Sequence, residues 1–135
     1  MLAHNVLVVE DDETVRRLLV EYLQGRASAE VDGARDGVEA LHQVAVKRYT
    51  VVVLDVLMPK MSGIDFLDSL QALVFDPSVQ SLDEPPAVLV ITSTPPGDLP
   101  DATLEHRFPQ LVRGIFRKPL DIRALGAAVE RVLGE

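Results

Sequence analysis

The residues in this chain best suited to chemistry are carboxylates that follow apolar runs. Asp55 directly follows the four apolar, β-forming residues Val51–Leu54. Glu10 and Asp11 follow the apolar run Asn5–Val9 in the same way. Taken alone, an acid after a strand is more often a turn residue or a helix cap than a functional group. A functional interpretation therefore depends on whether the fold brings these acids together.

Two further polar residues also come directly after apolar runs. Thr92 closes the run Ala87–Ile91, and Lys118 follows the short run Gly114–Arg117. A threonine at a strand end is usually structural, and a single lysine is usually a solvated surface charge. The three histidines lack the spacing of metal ligands, so we expect them to be structural or surface residues. Thr92 and Lys118, like the acids, need the fold to give them a role.

The composition predicts one ordinary globular domain over residues 1–135. Hydrophobic residues make up 47% of the chain and charged residues 25%, which is typical of folded proteins. The absence of cysteine excludes disulfides, thiol nucleophiles and cysteine-type zinc sites. The net charge of −8 disfavours direct binding to nucleic acid and to anionic membranes. The longest apolar run is too short to cross a bilayer, and no signal-peptide pattern opens the chain, so we expect a cytoplasmic protein.

Five runs of strand character alternate with five stretches of helical spacing. The predicted strands are Asn5–Val9, Ala29–Asp32, Val51–Leu54, Ala87–Ile91 and Gly114–Arg117. Asp36, Ser62 and Asp121 are predicted N-caps of the second, third and fifth helices. The apolar face predicted for the second helix consists of Val38, Leu41, Val44 and Ala45. The fourth helix, near Pro100–Arg107, is predicted to be short because segment 94–113 is rich in proline. This alternation predicts an α/β domain whose parallel sheet is covered by helices on both faces.

The character of the strands predicts their order in the sheet. Strands one, three and four are continuous apolar runs, whereas strand two alternates and strand five is short, so two and five are the predicted edges. The result is the flavodoxin-like order 2-1-3-4-5, in which ligands bind beyond the carboxyl ends of strands one and three. All five polar residues fall at this edge of the sheet: Glu10, Asp11, Asp55, Thr92 and Lys118. Three crowded carboxylates are unfavourable without a cation, and their hard oxygen ligands select Mg²⁺.

Five stretches of the sequence also carry a family resemblance. They are VLVVEDD (Val6–Asp12), LDVLMPKMSG (Leu54–Gly63), VLVITS (Val88–Ser93), RKP (Arg117–Pro119) and, more weakly, DGVEAL (Asp36–Leu41). In this order and spacing they resemble the receiver domain of two-component response regulators, of the chemotaxis-regulator-like type. The resemblance covers nearly the whole chain, which is accordingly interpreted as a single receiver domain.

The resemblance implies a role for each polar residue. Asp55 would accept a phosphoryl group from a phosphohistidine on a sensor histidine kinase or a histidine phosphotransfer protein. The implied Mg²⁺ ligands are Asp11 and Asp55 directly, Glu10 through water, and the backbone carbonyl of Leu57. Thr92 would donate a hydrogen bond to the phosphoryl oxygen, and Lys118 would stabilise its charge. The protein would thus be a phosphoacceptor that assists its own phosphorylation and dephosphorylation, not a turnover enzyme, and we expect a monomer or a weak homodimer.

Two departures from the family pattern leave alternatives open. The family usually has an aromatic residue three positions before the lysine, where this chain has Ile115 followed by Phe116. Together with the proline-rich segment 94–113, this departure leaves open the alternative that the chain is a pseudo-receiver, which binds partners without being phosphorylated. A Mg²⁺-dependent phosphohydrolase is a second alternative, but such an enzyme needs a second acid/base carboxylate near its nucleophile. Val56 and Leu57 are apolar at that place.

Overall fold

A computed structural model of the chain describes residues 4–26, 28–56, 61–74, 76, 78, 85–93, 97, 99 and 101–134. The strands are β1 (His4–Val9), β2 (Ala29–Ala34), β3 (Val51–Asp55), β4 (Ala87–Thr92) and β5 (Val112–Arg117). The helices are α1 (Glu13–Arg26), α2 (Gly37–Val46), α3 (Gly63–Val74), α4 (Asp101–Arg107) and α5 (Ile122–Leu133). Strand and helix alternate along the chain, as the sequence predicts.

The five strands form one parallel sheet in the order β2-β1-β3-β4-β5. This order confirms the predicted flavodoxin-like arrangement, with β2 and β5 at the edges. In a parallel sheet of this order the chain leaves β1 and β3 in opposite directions, so their carboxyl ends flank an open crevice. The two strands are in direct register, with Val9 beside Leu54. The residues that follow β1 therefore lie next to the end of β3.

Side chains of each strand alternate between two apolar layers, one on each face of the sheet. The first layer joins the sheet to α2, α3 and α4 through the buried residues Ala40, Val44, Phe66, Leu67, Leu70 and Leu104. The second layer joins the sheet to α1 and α5 through the buried residues Leu19, Leu23, Leu125 and Val129. Helices thus cover both faces, which explains why the central strands are apolar throughout.

Helix caps were correctly predicted from the sequence. The Asp36 carboxylate accepts a hydrogen bond from the Glu39 N–H at 2.8 Å, and Ser62 Oγ accepts one from the Asp65 N–H at 3.2 Å. The Asp121 carboxylate accepts bonds from the first turn of α5. Each cap satisfies backbone N–H groups that have no partner inside the helix.

Several element boundaries differ from the predicted ones. Strand β2 continues to Ala34, and β5 begins at Val112, because pairing with β1 and β4 extends each strand by two residues. Helix α4 is short, with seven residues. Within the 94–113 segment, residues 94–96, 98 and 100 lie outside the described part of the chain. Among the described helices, none has the length and apolar character that crossing a bilayer requires.

Candidate functional site

Asp55 is the last residue of β3, and its side chain is almost completely buried, with 5% exposed. Directly after it, the Val56 N–H donates to the Ile91 carbonyl at 3.1 Å, and the Val56 carbonyl accepts from the Gly63 N–H at 2.9 Å. A Cβ atom at Gly63 would lie 2.6 Å from the Val56 Cα. The beginning of α3 therefore approaches the end of β3 so closely that only glycine fits there. This packing fixes the backbone on which Asp55 stands.

Glu10 and Asp11 lie beside Asp55 at the end of β1. Glu10 is buried with 3% exposed, whereas Asp11 is exposed to solvent. Carboxylate oxygens of all three acids lie within 4.8 Å of one another. The predicted convergence of the three carboxylates is thus present in the structure. Of the three, Asp11 alone faces solvent.

The crowding perturbs the ionisation of Glu10. Burial is the largest cause, followed by a hydrogen bond to Asp55 and by the negative charge of Asp55, and together they raise the pKa of Glu10 from 4.5 to about 8. The Asp12 N–H, which donates to Glu10 Oε1 at 3.2 Å, and the charge of Lys118 oppose the rise. The raised pKa means that the surroundings of Glu10 in the folded protein disfavour its ionised form. A cation bound between the carboxylates would remove this penalty.

Lys118 directly follows the edge strand β5, which is separated from β3 by β4. Its Nζ atom lies 3.5 Å from Asp55 Oδ2 and 4.0 Å from Glu10 Oε2. Its backbone N–H donates to the Thr92 carbonyl at 2.9 Å, which ties the end of β5 to the end of β4. The Lys118–Pro119 peptide bond is cis. Because the ammonium group contacts Asp55, it can stabilise negative charge that develops on a group attached there.

Thr92 completes the set at the end of β4 and is fully buried. In the described part of the chain the buried polar or charged residues are Glu10, Asp36, Asp55 and Thr92. Asp36 caps α2, and the other three all lie at the carboxyl ends of the three central strands. Burying polar groups is costly unless they are paired, so a concentration of them at one edge indicates a functional site.

The structure therefore brings together four of the predicted site residues, Glu10, Asp11, Asp55 and Lys118, with Thr92 at the end of the adjacent strand. Leu57, whose carbonyl the resemblance assigns to the metal, lies outside the described residues. Sequence reasoning missed Arg16, whose Nη1 atom donates to the Glu10 carbonyl at 2.9 Å. The contact is tertiary in origin, and no motif of the sequence signals it.

The three carboxylates form a donor set that fits Mg²⁺. This ion takes oxygen ligands and keeps several of its waters, so two or three protein carboxylates suffice. Asp11 is exposed, so it can bind an ion that keeps part of its hydration shell. The absence of cysteine and the lack of a histidine in the cluster argue against softer metals at this position. We therefore regard Glu10, Asp11 and Asp55 as the residues that would hold the ion.

Comparison with known proteins agrees with this architecture. The sequence profile described as "Response regulator receiver domain" matches residues 6–130. The chain belongs to the response regulator receiver domain family. Receiver domains are signalling domains of two-component systems, and aspartate phosphorylation and Mg²⁺ binding are characteristic of them.

Relatives of this receiver domain differ in length. It is 31% identical over 130 residues to the probable chemotaxis protein CheY of Rhizobium etli, covering 96% of this chain and 92% of that protein. It is also 41% identical over 71 residues to a protein-glutamate methylesterase/protein-glutamine glutaminase of Anaeromyxobacter dehalogenans. That match covers 53% of this chain but 20% of the methylesterase. The first match supports the family assignment along nearly the whole chain.

Solved structures share the fold of the receiver domain. Chemotaxis protein CheY4 of Vibrio cholerae superposes with a TM-score of 0.76 at 26% identity, covering 97% of this chain and 99% of that one. A BeF3-activated DrrB receiver domain gives a TM-score of 0.74 at 22% identity, covering 99% of this chain and 100% of that one. The second likeness, at that low identity, concerns the fold alone.

Ile115 and Phe116, where the sequence departs from the family pattern, lie on opposite faces of the sheet. Ile115 packs against the apolar layer of α2, α3 and α4, whereas Phe116 packs against the layer of α1 and α5. Adjacent residues of a strand alternate in direction, so Phe116 cannot take the place of an aromatic residue at position 115. The α4 side of β5 therefore carries an aliphatic side chain in this receiver domain.

Proposed function

We propose that this receiver domain accepts a phosphoryl group on Asp55 from a phosphohistidine of a sensor histidine kinase or a histidine phosphotransfer protein, in a Mg²⁺-dependent reaction. The observation that carries the proposal is the burial of Asp55 beside Glu10, Asp11 and the Lys118 ammonium group. Three carboxylates and one lysine at the same strand ends suit phosphoryl transfer, which needs alignment and charge stabilisation more than covalent help from the protein.

In the proposed reaction an Asp55 carboxylate oxygen forms the new O–P bond. The P–N bond to the donor imidazole breaks, and its electron pair returns to the ring nitrogen. Lys118, 3.5 Å from Asp55, would neutralise part of the charge on the phosphoryl oxygens. Mg²⁺, when bound, supplies further positive charge to these oxygens. Asp55 is almost completely buried, which limits the access of water to its carboxylate.

Thr92 is proposed to donate a hydrogen bond to the phosphoryl group and so to report its presence. It lies at the end of β4, in the strand next to Asp55. Its carbonyl accepts a hydrogen bond from the Lys118 N–H at 2.9 Å, so a movement of Thr92 would also displace the chain at the end of β5. Such a coupling would turn a local charge change into a change of surface shape.

We further propose that the protein acts in the cytoplasm as a monomer or weak homodimer and signals by protein interaction, without turnover of a substrate. Val56, which follows Asp55, is apolar, so it cannot act as the second acid/base group that a phosphohydrolase needs. Steady release of phosphate from a generic phosphomonoester would contradict this part of the proposal.

The decisive experiment is phosphorylation by a small donor. We expect incubation with acetyl phosphate and Mg²⁺ to add one labile phosphoryl group, measured as intact mass. The gain should vanish without Mg²⁺ and in Asp55→Asn. Asp65→Asn is a matched control, because Asp65 is an exposed carboxylate in the first turn of α3 and should leave the reaction unchanged.

A folded protein that gains no mass from acetyl phosphate or from a phosphohistidine donor would overturn the proposed function. It would then favour the pseudo-receiver alternative. A gain of mass that persists in Asp55→Asn would instead assign the phosphoryl group to another residue.

A further inference from the structure

Arg16 connects helix α1 to the peptide bond between the two acids that end β1. Its side chain is half-buried, and its Nη1 atom donates to the Glu10 carbonyl at 2.9 Å. That carbonyl belongs to the peptide bond that joins Glu10 to Asp11. A hydrogen bond to this carbonyl restrains the orientation of the peptide, and therefore the directions in which the Glu10 and Asp11 side chains point.

The same short segment is held from other directions. The Glu10 N–H donates to the Ala34 carbonyl of β2 at 3.0 Å, and the Asp12 N–H donates to Glu10 Oε1 at 3.2 Å. The bond from Arg16 adds α1 to these contacts. Because β1 ends at Val9, strand pairing alone does not fix the Glu10–Asp11 peptide. The Arg16 side chain, from the next helix, adds a hydrogen bond to this peptide.

Gly33 of β2 gives the Arg16 side chain the space it needs. A Cβ atom at Gly33 would lie 3.1 Å from Arg16 Cδ and 3.3 Å from its Cγ. The Gly33 backbone is not in the left-handed region, so other residues could adopt its conformation. A Cβ atom at this position would press against the aliphatic part of Arg16, which would have to shift by a few tenths of an ångström.

We propose that Arg16 is a positioning residue for the metal-binding pair Glu10 and Asp11, and that Gly33 is required because it lets Arg16 reach their peptide. The inference rests on the proposed Mg²⁺-dependent function. Two carboxylates on adjacent residues serve one ion only if the peptide between them is held in one orientation. Groups that orient metal ligands typically change metal affinity by about 10-fold to 100-fold, and we expect about 10-fold because Arg16 acts through the main chain.

Isothermal titration with MgCl₂ tests the proposal on the full chain. Arg16→Ala should weaken Mg²⁺ binding about 10-fold. Gly33→Val should also weaken binding, although it keeps the guanidinium charge in the protein. The double variant should bind no more weakly than Arg16→Ala, because the valine then has no side chain to displace. Arg17→Ala is the matched control, since Arg17 is exposed and contacts Glu13 at 3.4 Å.

Two further readouts separate positioning from a loss of structure. In the metal-free protein, amide hydrogen exchange at Asp11 and Asp12 should become faster in Arg16→Ala, while exchange at Val53 in the centre of the sheet stays unchanged. The Mg²⁺ concentration that gives half the maximal rate of phosphorylation should rise about 10-fold, with little change in the rate at saturating Mg²⁺. A general loss of folding would move all of these quantities together.

Unchanged Mg²⁺ affinity in Arg16→Ala would overturn the inference and leave the proposed function intact, provided that the wild-type protein binds Mg²⁺. Additive losses in the double variant would overturn the role of Gly33. If Gly33→Val does not fold, Gly33→Ala replaces it, because its Cβ already meets Arg16. A wild-type protein that binds no Mg²⁺ would overturn both the inference and the proposed function.

Discussion

The ionisation of Glu10 should make the stability of the metal-free protein fall as the pH rises. In the folded state the pKa of Glu10 is raised to about 8, mainly by burial and then by Asp55, whereas in the unfolded chain the ordinary value of 4.5 applies. Between these two values the folded state binds more protons than the unfolded state. The stability contributed by protonated Glu10 is therefore complete below pH 4.5 and is lost progressively up to about pH 8.

The magnitude follows from the size of the shift. Each pH unit inside this window costs at most about 1.4 kcal/mol, and the cost levels off as the folded-state pKa is reached. Between pH 6 and pH 8 the free energy of unfolding should therefore fall by about 2 kcal/mol in the absence of metal. Saturating Mg²⁺ should abolish this dependence, because the bound ion favours the ionised carboxylates at every pH in the range.

Urea denaturation followed by far-UV circular dichroism at pH 6, 7 and 8, with and without Mg²⁺, measures the effect. Glu10→Gln should remove the metal-free slope. Glu13→Gln is the matched control, because Glu13 has a 74% exposed side chain and should leave the slope as it is in wild type. The difference between the slopes of wild type and Glu10→Gln isolates the contribution of Glu10. Equal slopes in these two proteins would refute the reasoning.

Substitutions at three other positions test packing, capping and surface charge, with stability again measured by urea denaturation. Gly63→Ala should destabilise by about 1–3 kcal/mol and slow phosphorylation, because its Cβ meets the backbone directly after Asp55 at 2.6 Å. Asp121→Ala should cost about 1 kcal/mol through the lost cap of α5, and Asp121→Asn should restore most of it. Arg107→Ala should lower the free energy of unfolding by less than about 1 kcal/mol, since its ion pair with Asp68 is half-exposed. A larger loss would contradict the assignment of this pair as an ordinary surface ion pair.

The site could be predicted from the sequence because its position follows from topology. Once Asp55, Thr92 and Lys118 are each placed at the end of a strand, a parallel sheet brings them to one edge whatever the details of packing. The edge strands could be identified for a similar reason, since β2 alternates in polarity. Strand β5 is predicted at the other edge because its predicted run is short, although the structure gives it six residues. These inferences need only the pattern of the chain and general rules of sheet assembly.

Packing faces and tertiary contacts could not be predicted in the same way. The large residue Val38, predicted to be buried on α2, is 42% exposed, while the small residues Gly37 and Ala40 are buried in its place. A Cβ atom at Gly37 would lie 2.8 Å from the Met61 side chain, so α2 packs through small residues as well as through Val44 of the predicted face. The spacing of large apolar residues does not reveal a face made of small residues, because how closely α2 approaches its neighbour depends on the shape of that neighbour.

An aliphatic and a charged side chain of β5 lie at the contacts around α4. Ile115 presents an aliphatic side chain toward α4, and Phe116 packs on the other face of the sheet. Arg117, beside Thr92 in the sheet, donates from Nη2 to the Leu99 carbonyl at 2.7 Å. The chain just before α4 is thus joined to β5 by a charged hydrogen bond at the strand position next to the proposed reporter of phosphorylation. Any coupling between Thr92 and α4 along this route would need the β4–β5 pairing and Arg117 rather than an aromatic ring at position 115.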